Sequence, residues 1–239
     1  MKVLKNRVWF FILPMILVAL FWIHQVDQDI TERDKVTITK ILQENNIIPL
    51  SGPDKNDFHE QIKFISAVQK AVLLTAPRNK GLDEGMSREP EVLYKMRYGH
   101  CYDRSRAIEK ILRLSGFKTR HVSVYSLDEN SALHAFLKPK TRSHALSEVL
   151  TVKGWVFVDS NDKLIGVDKF GNPIDLTQVK KLGFKNIVWS KYNTENFDGV
   201  YATKFMYVYG LYSRHGKFYP PYNFIPDLHW GELVYNFGL

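Results

Sequence analysis

Cys101 is the only cysteine in the chain, and its neighbours give it a possible chemistry. It stands in Tyr98-Gly99-His100-Cys101-Tyr102, and a helical pattern runs from it to Ser115. Gly99 permits a tight turn into that helix, and Gly116 is the expected C-terminal stop. A thiol in the first turn of a helix meets unpaired amides and the positive end of the helix dipole. Both favour the thiolate, and the same amides can hold an oxyanion. A nucleophilic thiol also needs a base. His100 is adjacent, but consecutive helical side chains diverge, so the base must come from elsewhere. A lone cysteine can form neither an intrachain disulfide nor a cysteine-based structural zinc site.

The candidates lie downstream, in Ser143-His144-Ala145-Leu146-Ser147-Glu148-Val149 and Trp155-Val156-Phe157-Val158-Asp159. Both segments have strand character and are joined by a tight turn at Lys153-Gly154. If they pair antiparallel, the His opening the first meets the Asp closing the second. The carboxylate then orients the imidazole and stabilises its charged form, the logic of a nucleophile–base–orienter triad. His134 competes with His144 because Leu133-His134-Ala135-Phe136 has a similar local pattern, but no Glu-Val and no Trp-x-x-x-Asp strand follow it. Asp162 is the substitute for Asp159 if the register differs. Arg120 and Glu148 read as structural partners. Tyr98, Tyr102 and Trp155 are the candidate substrate-binding residues. The histidines at 24, 59, 100, 121, 215 and 229 show no metal-ligand spacing, and His59-Glu60 lacks the second His of a His-Glu-x-x-His site. No metal and no cofactor is expected.

In order, Gly99-His100-Cys101, Gly116-Phe117-Lys118-Thr119-Arg120, His144-Ala145-Leu146-Ser147-Glu148-Val149 and Trp155 to Asp159 resemble the transglutaminase-like superfamily. The resemblance covers residues 88–162. Two positions depart from the usual pattern: Leu146 stands where Trp is common two residues after the His, and Ser160 where Pro commonly follows the Asp. The resemblance implies an α+β, papain-like core in which a central helix bearing Cys101 packs on an antiparallel sheet bearing His144 and Asp159. It also implies attack on an amide carbonyl through a thioester, resolved by hydrolysis or acyl transfer. The substrate would be a peptide, a protein or an amide-bearing glycoconjugate. The alternative is a non-catalytic binding or assembly module of cell-envelope or surface-polysaccharide biogenesis.

The elements that must position these residues follow from periodicity. A short helix is expected over Val36–Glu44. A stronger one starts near Asp57, where Phe58, Ile62, Ile65, Val68 and Val72 recur at three or four residues, and Pro77 ends it. Arg78 to Gly85 reads as a loop, and Glu91–Lys95 as a short helical piece. Strands are expected over Lys118–Ser126, Leu133–Leu137, Ala145–Val152 and Trp155–Val158. Helices first and antiparallel strands after is an α+β order. Residues 185–239 hold 15 of the 32 aromatics and read as an irregular, aromatic-packed wrap with few long elements.

The N-terminus carries Lys2, Lys5 and Arg7, then an unbroken apolar run from Val8 to Ile23 with Trp9 and Trp22 near its ends. This predicts a transmembrane anchor with a cytoplasmic basic end; a cleaved signal peptide is the alternative, though no small-x-small cleavage pattern follows the run. Residues 24–34 read as a polar stalk. The expected organisation is thus 1–7 basic end, 8–26 anchor, 27–85 helical part, 86–165 core and 166–239 aromatic extension. The domain would lie outside the cytoplasm, periplasmic or extracellular. The net charge of +8 over 239 residues is mild, and no dense basic helix accompanies it, which argues against a nucleic-acid partner. With 45% hydrophobic and 24% charged residues, disorder and fibrous classes are excluded.

Overall fold

Chain order explains the architecture of this protein better than any single view of it. A computed structural model describes residues 2–23, 25–77, 80–127, 131–138, 140–193 and 199–238. Of the segments predicted above, His24 and the loop residues Arg78 and Asn79 lie outside the described residues. Helix α1 spans Lys2–Ile23, and its side chains from Phe11 to Leu20 are all exposed. Among the described residues no helix is long and apolar enough to cross a membrane.

The next segment is not the free stalk its composition suggested. Val26 donates its N–H to the Leu228 carbonyl at 2.7 Å and is buried against Tyr212 and Phe218. Asp27 and Gln28 accept from the fully buried Arg106 at 2.6 and 3.0 Å. The segment is thus tied to a buried cation through the Asp27 carbonyl and the Gln28 amide, and the buried Asp34 pairs with Lys110 at 2.7 Å. Thr31 and Asp34 form a reciprocal capping box that starts α2 at Glu32, ahead of the expected Val36; α2 ends at Glu44.

Helix α3, Phe58–Thr75, begins at the Asp57 N-cap, whose carboxylate accepts from the Glu60 N–H at 2.9 Å. Its stripe of Ile62, Ile65, Val68 and Val72 is buried, each side chain adding about 1.5–3 kcal/mol of hydrophobic stabilisation. The short α4, Pro90–Met96, leads to α5, Cys101–Leu114. Gly116 follows α5 with φ +91°, the left-handed backbone that ends a helix best with glycine.

Strand β1 is Lys118–Ser126. The expected strand over Leu133–Leu137 is instead helix α6, Ala132–Leu137, with Ser131 as its N-cap. Both edges of β1 are already taken, by β2 (Ser143–Thr151) and by β4 (Phe205–Tyr209), so no ladder remains beside β1. Leu133 and Leu137, four apart, stay exposed while Ala135 is buried. The hairpin partner of β2 is β3, Gly154–Val158. Helix α7 spans Leu176–Leu182, and β4 spans Phe205–Tyr209. Strands β5 (Leu211–Ser213) and β6 (Asp227–Leu228) pair with each other, and α8 covers Trp230–Leu233.

The main sheet runs β3-β2-β1-β4, antiparallel throughout. One face packs on α3 and α5 through Ile65, Val68, Ile108, Ile111, Val149 and Val156. The other face, with Val122, Leu146 and Phe157, is covered by the C-terminal part through Phe184, Tyr201, Phe205 and Tyr209. The aromatic extension therefore contributes a fourth strand as well as a wrap. This is a mixed α+β architecture with the Cys101 helix central.

Candidate active site

Three elements converge on Cys101. The first is its own helix start. The His100 N–H donates to Asp103 Oδ2 at 2.8 Å, the reciprocal half of an N-terminal cap. Asp103 in turn pairs with Arg88 at 3.2 Å. Gly99 is required by closeness: a Cβ there would lie 2.6 Å from Leu93 Cδ1 and 3.0 Å from Asp103 Cβ. The second element is β2, which places His144 at its start, opposite Val124 of β1. The third is the turn after β3, which carries Asp159.

The side chains meet as the hairpin argument requires. His144 Nε2 is 2.7 Å from Asp159 Oδ2. The Cys101 thiol hydrogen-bonds the His144 ring and the Ala145 backbone N–H; Nδ1 is the ring nitrogen not taken by Asp159, and the Asn161 amide lies beside it. Asp159 is fully buried with all its acceptor capacity used. Oδ1 takes the N–H groups of Asn161 and Asp162 at 2.6 and 2.7 Å. Oδ2 takes His144 and the Tyr201 hydroxyl.

Electrostatics follow the geometry. Burial opposes charge on each group, and the mutual contacts overcome it. His144 is pushed up to about 10, chiefly by the Asp159 charge and hydrogen bond, then by Cys101. Burial would raise Asp159, yet the His144 charge, with the Tyr201 and Asn161 hydrogen bonds, holds it below the ordinary carboxylate range. Cys101 is likewise held below the ordinary thiol value by His144, the Ala145 N–H and the Arg104 charge, against burial. The arrangement therefore favours a thiolate beside an imidazolium.

Two buried side chains lock the elements together, and neither stood out in the sequence. Arg104, one turn into α5, donates from Nε to the Ser160 carbonyl at 2.5 Å, and from its terminal nitrogens to Gly99 O, Ala76 O and Asn161 Oδ1. It ties the start of the cysteine helix to the turn carrying Asp159. That bond also sets the Asn161 amide, whose Nδ2 lies 3.3 Å from His144 Nδ1. Gln69 of α3 donates to the carbonyls of Asp159, Asp162 and Leu164 at 2.8, 3.1 and 2.9 Å. Tyr201 was hidden among the C-terminal aromatics. Their abundance marked packing, and nothing local to Tyr201 marked a hydroxyl aimed at a carboxylate.

The other candidates fall in different places. Tyr102 lines a cavity of about 400 Å³ with Cys101, His144, Tyr125 and Arg214. Tyr98 lies outside it, under the Lys80 ammonium at 4.9 Å. Trp155 is remote from it: it pairs with Leu150, six residues along β2 from His144, or roughly 20 Å at strand rise. There it stacks on the Arg120 guanidinium at 4.1 Å. Arg120 binds Glu148 through Nε at 2.8 Å and through Nη2 at 2.5 Å, and Glu148 also accepts the Leu176 N–H, a structural tie between the sheet and α7. His134 is exposed on α6, while Asp162 lends Asp159 its N–H. Among the described residues no group of His, Cys, Asp and Glu could hold a metal ion. A larger cleft of about 600 Å³, near Phe58, Lys153 and Trp189, contains neither the thiol nor His144.

Residues 51–160 match the transglutaminase-like superfamily, a stretch that includes Cys101, His144 and Asp159. The matched stretch covers a little under half of the chain. A search of curated proteins found no match. Among solved structures, the arylamine N-acetyltransferase of Salmonella typhimurium aligns at 23% identity and TM-score 0.34, covering 56% of this chain and 46% of its own. Arylamine N-acetyltransferase C of Bacillus anthracis aligns at 13% identity and TM-score 0.34, over 56% and 51%. The arylamine N-acetyltransferase of Mycobacterium abscessus aligns at 14% identity and TM-score 0.35, over 62% and 49%. The chain spans about half the length of each.

Proposed function

We propose that this protein is a membrane-anchored, extracytoplasmic cysteine enzyme that acts on an amide bond through a thioester. The observation that carries the reading is the continuous chain of hydrogen bonds from the Cys101 thiol through His144 to Asp159 inside the stretch that matches the transglutaminase-like superfamily. Cys101 attacks the carbonyl as thiolate. The first-turn amides of α5 face the developing oxyanion. His144 gives its proton to the departing amine, and the Cys101 sulfur keeps the acyl group as a thioester. Water or an amine, deprotonated by His144, then attacks the thioester and releases the thiolate. Asp159 stabilises the imidazolium in both halves.

The chemistry is tested by mass-spectrometric labelling of the single thiol. Iodoacetamide should modify Cys101 at neutral pH much faster than a free cysteine, and Cys101→Ala should abolish amide turnover and fail to complement a deletion. Full complementation by Cys101→Ala would sink the enzyme reading.

The anchor rests on α1. Its apolar run, Val8 to Ile23, makes roughly 24 Å of helix at 1.5 Å per residue, shorter than a bilayer's hydrocarbon core, so the reading relies on the flanking Lys5 and Arg7 reaching the headgroups. Phe11, Leu13, Met15, Leu17 and Trp22 are exposed, uncovered by any of the described residues, while Lys2, Lys5 and Arg7 precede them in the sequence. Alkaline carbonate extraction should leave the full chain in the membrane pellet. A membrane-impermeant maleimide should reach Cys101 from outside intact cells. Recovery of the full chain in the carbonate supernatant would refute the anchor, and protection of Cys101 in intact but not lysed cells would refute the orientation.

A further inference from the structure

The walls of the Cys101 cavity are unequal in charge. Arg88, Arg214, His215 and Lys217 line it, against a single acidic side chain, Glu84. Arg88 is committed elsewhere, to Asp103 and the Leu82 carbonyl. Arg214 is different. It meets no carboxylate among the described residues. Its Nη1 donates to the carbonyls of Phe136 and Lys138, and its guanidinium lies 4.8 Å over the Tyr125 ring. These contacts fix the position of the charge without neutralising it. Lys217 pairs with Glu84 at 3.0 Å, with both side chains more than half exposed; such a pair is weak and exchanges partners readily. Lys138 and Lys140 are exposed on the neighbouring loop. Tyr125, which the Arg214 guanidinium covers, lines the same cavity as Cys101. In a concave site with low-dielectric walls, an uncompensated cation focuses its field on whatever occupies the cavity.

We propose that this cavity takes a substrate bearing an anionic group, a carboxylate or a phosphate, held by Arg214 with Lys217 in support, while Cys101 attacks its carbonyl in the same cavity. The assignment rests on the reading of Cys101 as the nucleophile. A guanidinium with free donors reads a carboxylate or a phosphate in the same fork geometry, so the chemistry shared by the two is what the site selects. A neutral substrate would leave the Arg214 charge without a partner.

The test uses the full chain and its single thiol. Cys101 is alkylated with N-iodoacetyl-β-alanine and with its neutral carboxamide. A second pair is N-iodoacetyl-O-phosphoethanolamine and N-iodoacetyl-ethanolamine. Modification is followed by intact mass. At low ionic strength at least one anionic reagent should outpace its neutral twin by about tenfold or more, as a charge-assisted contact predicts. The excess should shrink as salt is added. Which pair shows it separates carboxylate from phosphate.

Arg214→Gln should bring the ratio near one, Lys217→Gln should lower it partly, and Lys180→Gln on the distant α7 should leave it unchanged. If Arg214→Gln fails to fold, judged by circular dichroism, the wild-type ratio and its salt dependence decide. Ratios near one for both pairs in the wild type would overturn the proposal and leave the triad reading standing. The triad reading fails separately, if the neutral reagents themselves react no faster than with free cysteine.

Discussion

Asp159→Asn is the sharpest test of the candidate triad, because it changes one charge with almost no change of shape. The main-chain donors of Asn161 and Asp162 can still find an acceptor at position 159. The contact with His144 changes sign. An amide placed where Asp159 Oδ2 now stands offers N–H to Nε2, which forces the ring proton onto Nδ1. The neutral ring then presents a donor to the thiol, the wrong tautomer for a base. The magnitude follows from His144, whose rise from 6.5 to about 10 corresponds to ~5 kcal/mol of differential interaction. Asp159 is the largest favourable contributor to that rise, with Cys101 behind it. If Asp159 supplies half, its removal costs ~2–3 kcal/mol of ion-pair stability, a loss of thiolate of about one to two orders of magnitude at neutral pH. The assay is the rate of iodoacetamide modification of Cys101 from pH 5 to 10. Wild type should show a plateau across neutrality. Asp159→Asn should lose it and climb only at the alkaline pH of an ordinary thiol. A variant that folds, by circular dichroism, and keeps the wild-type plateau would show that Asp159 does not hold the ion pair, and the reasoning from geometry to mechanism would be wrong.

Other outcomes follow from the same contacts. Tyr201→Phe removes a buried hydroxyl that donates to the Asp159 carboxylate; urea unfolding should show a loss of about 2 kcal/mol, the usual worth of a hydrogen bond to a charged group, and a change below a few tenths would refute the contact. The pH profiles of alkylation and amide turnover should part above pH 10. Alkylation needs only the thiolate and persists, whereas turnover falls as His144, at about 10, loses the proton it gives the leaving amine. Coincident profiles would exclude His144 as the acid. Glu232 is buried beside Glu109, and burial followed by that neighbouring charge pushes it up to about 7 from 4.5. A carboxyl raised in the folded state contributes least stability once ionised. The protein should therefore lose up to ~3 kcal/mol from this group as pH rises from 4.5 through 7. Glu232→Gln should flatten that slope in urea midpoints taken at pH 5 and 8, and an unchanged slope would reject the assignment.

How much of this was legible in the sequence depended on whether a residue's partner was near in the chain. The α5 start, the β2–β3 hairpin and the meeting of His144 with Asp159 are local, set by a glycine turn and by strand alternation. The residues that fix them are not local. Arg104 reaches Ala76 and Ser160, Gln69 reaches Asp159, and Tyr201 arrives from 42 residues downstream. No periodicity announces such contacts. The misread stalk has a related cause. Gln28 and Asp34 look like solvent-facing polar residues, but they partner Arg106 and Lys110, which are themselves buried on α5. In a sequence, a buried ion pair and a solvated surface have the same composition. The segment Leu133–Leu137 failed for a topological reason, since β4 joins β1 from about eighty residues away and closes the edge that a local strand would have used.

The departures from the family pattern can also be placed by where they fall. Leu146 has no exposed surface and packs with Val122, Phe157 and Leu164 beneath the C-terminal segment. The position usually held by Trp is therefore a core position on the sheet face opposite α5. Its change goes with how Phe184, Tyr201 and Phe205 cover that face, while the thiol lies against the other elements. The change at Ser160-Asn161 is closer to the chemistry. A proline at 160 would keep the carbonyl that Arg104 Nε binds but would remove the Ser160 hydroxyl, which donates to the Ala145 carbonyl at 2.5 Å. That bond ties the Asp159 turn to β2 one residue beyond His144, and the Ala145 N–H is the amide that reaches the Cys101 sulfur. The substituted turn thus supplies a side-chain clamp where a proline would supply only stiffness. Both changes leave the Cys101–His144–Asp159 geometry supported through contacts of this chain's own making, so they bear on packing and rigidity and give no ground for reading the site as inert.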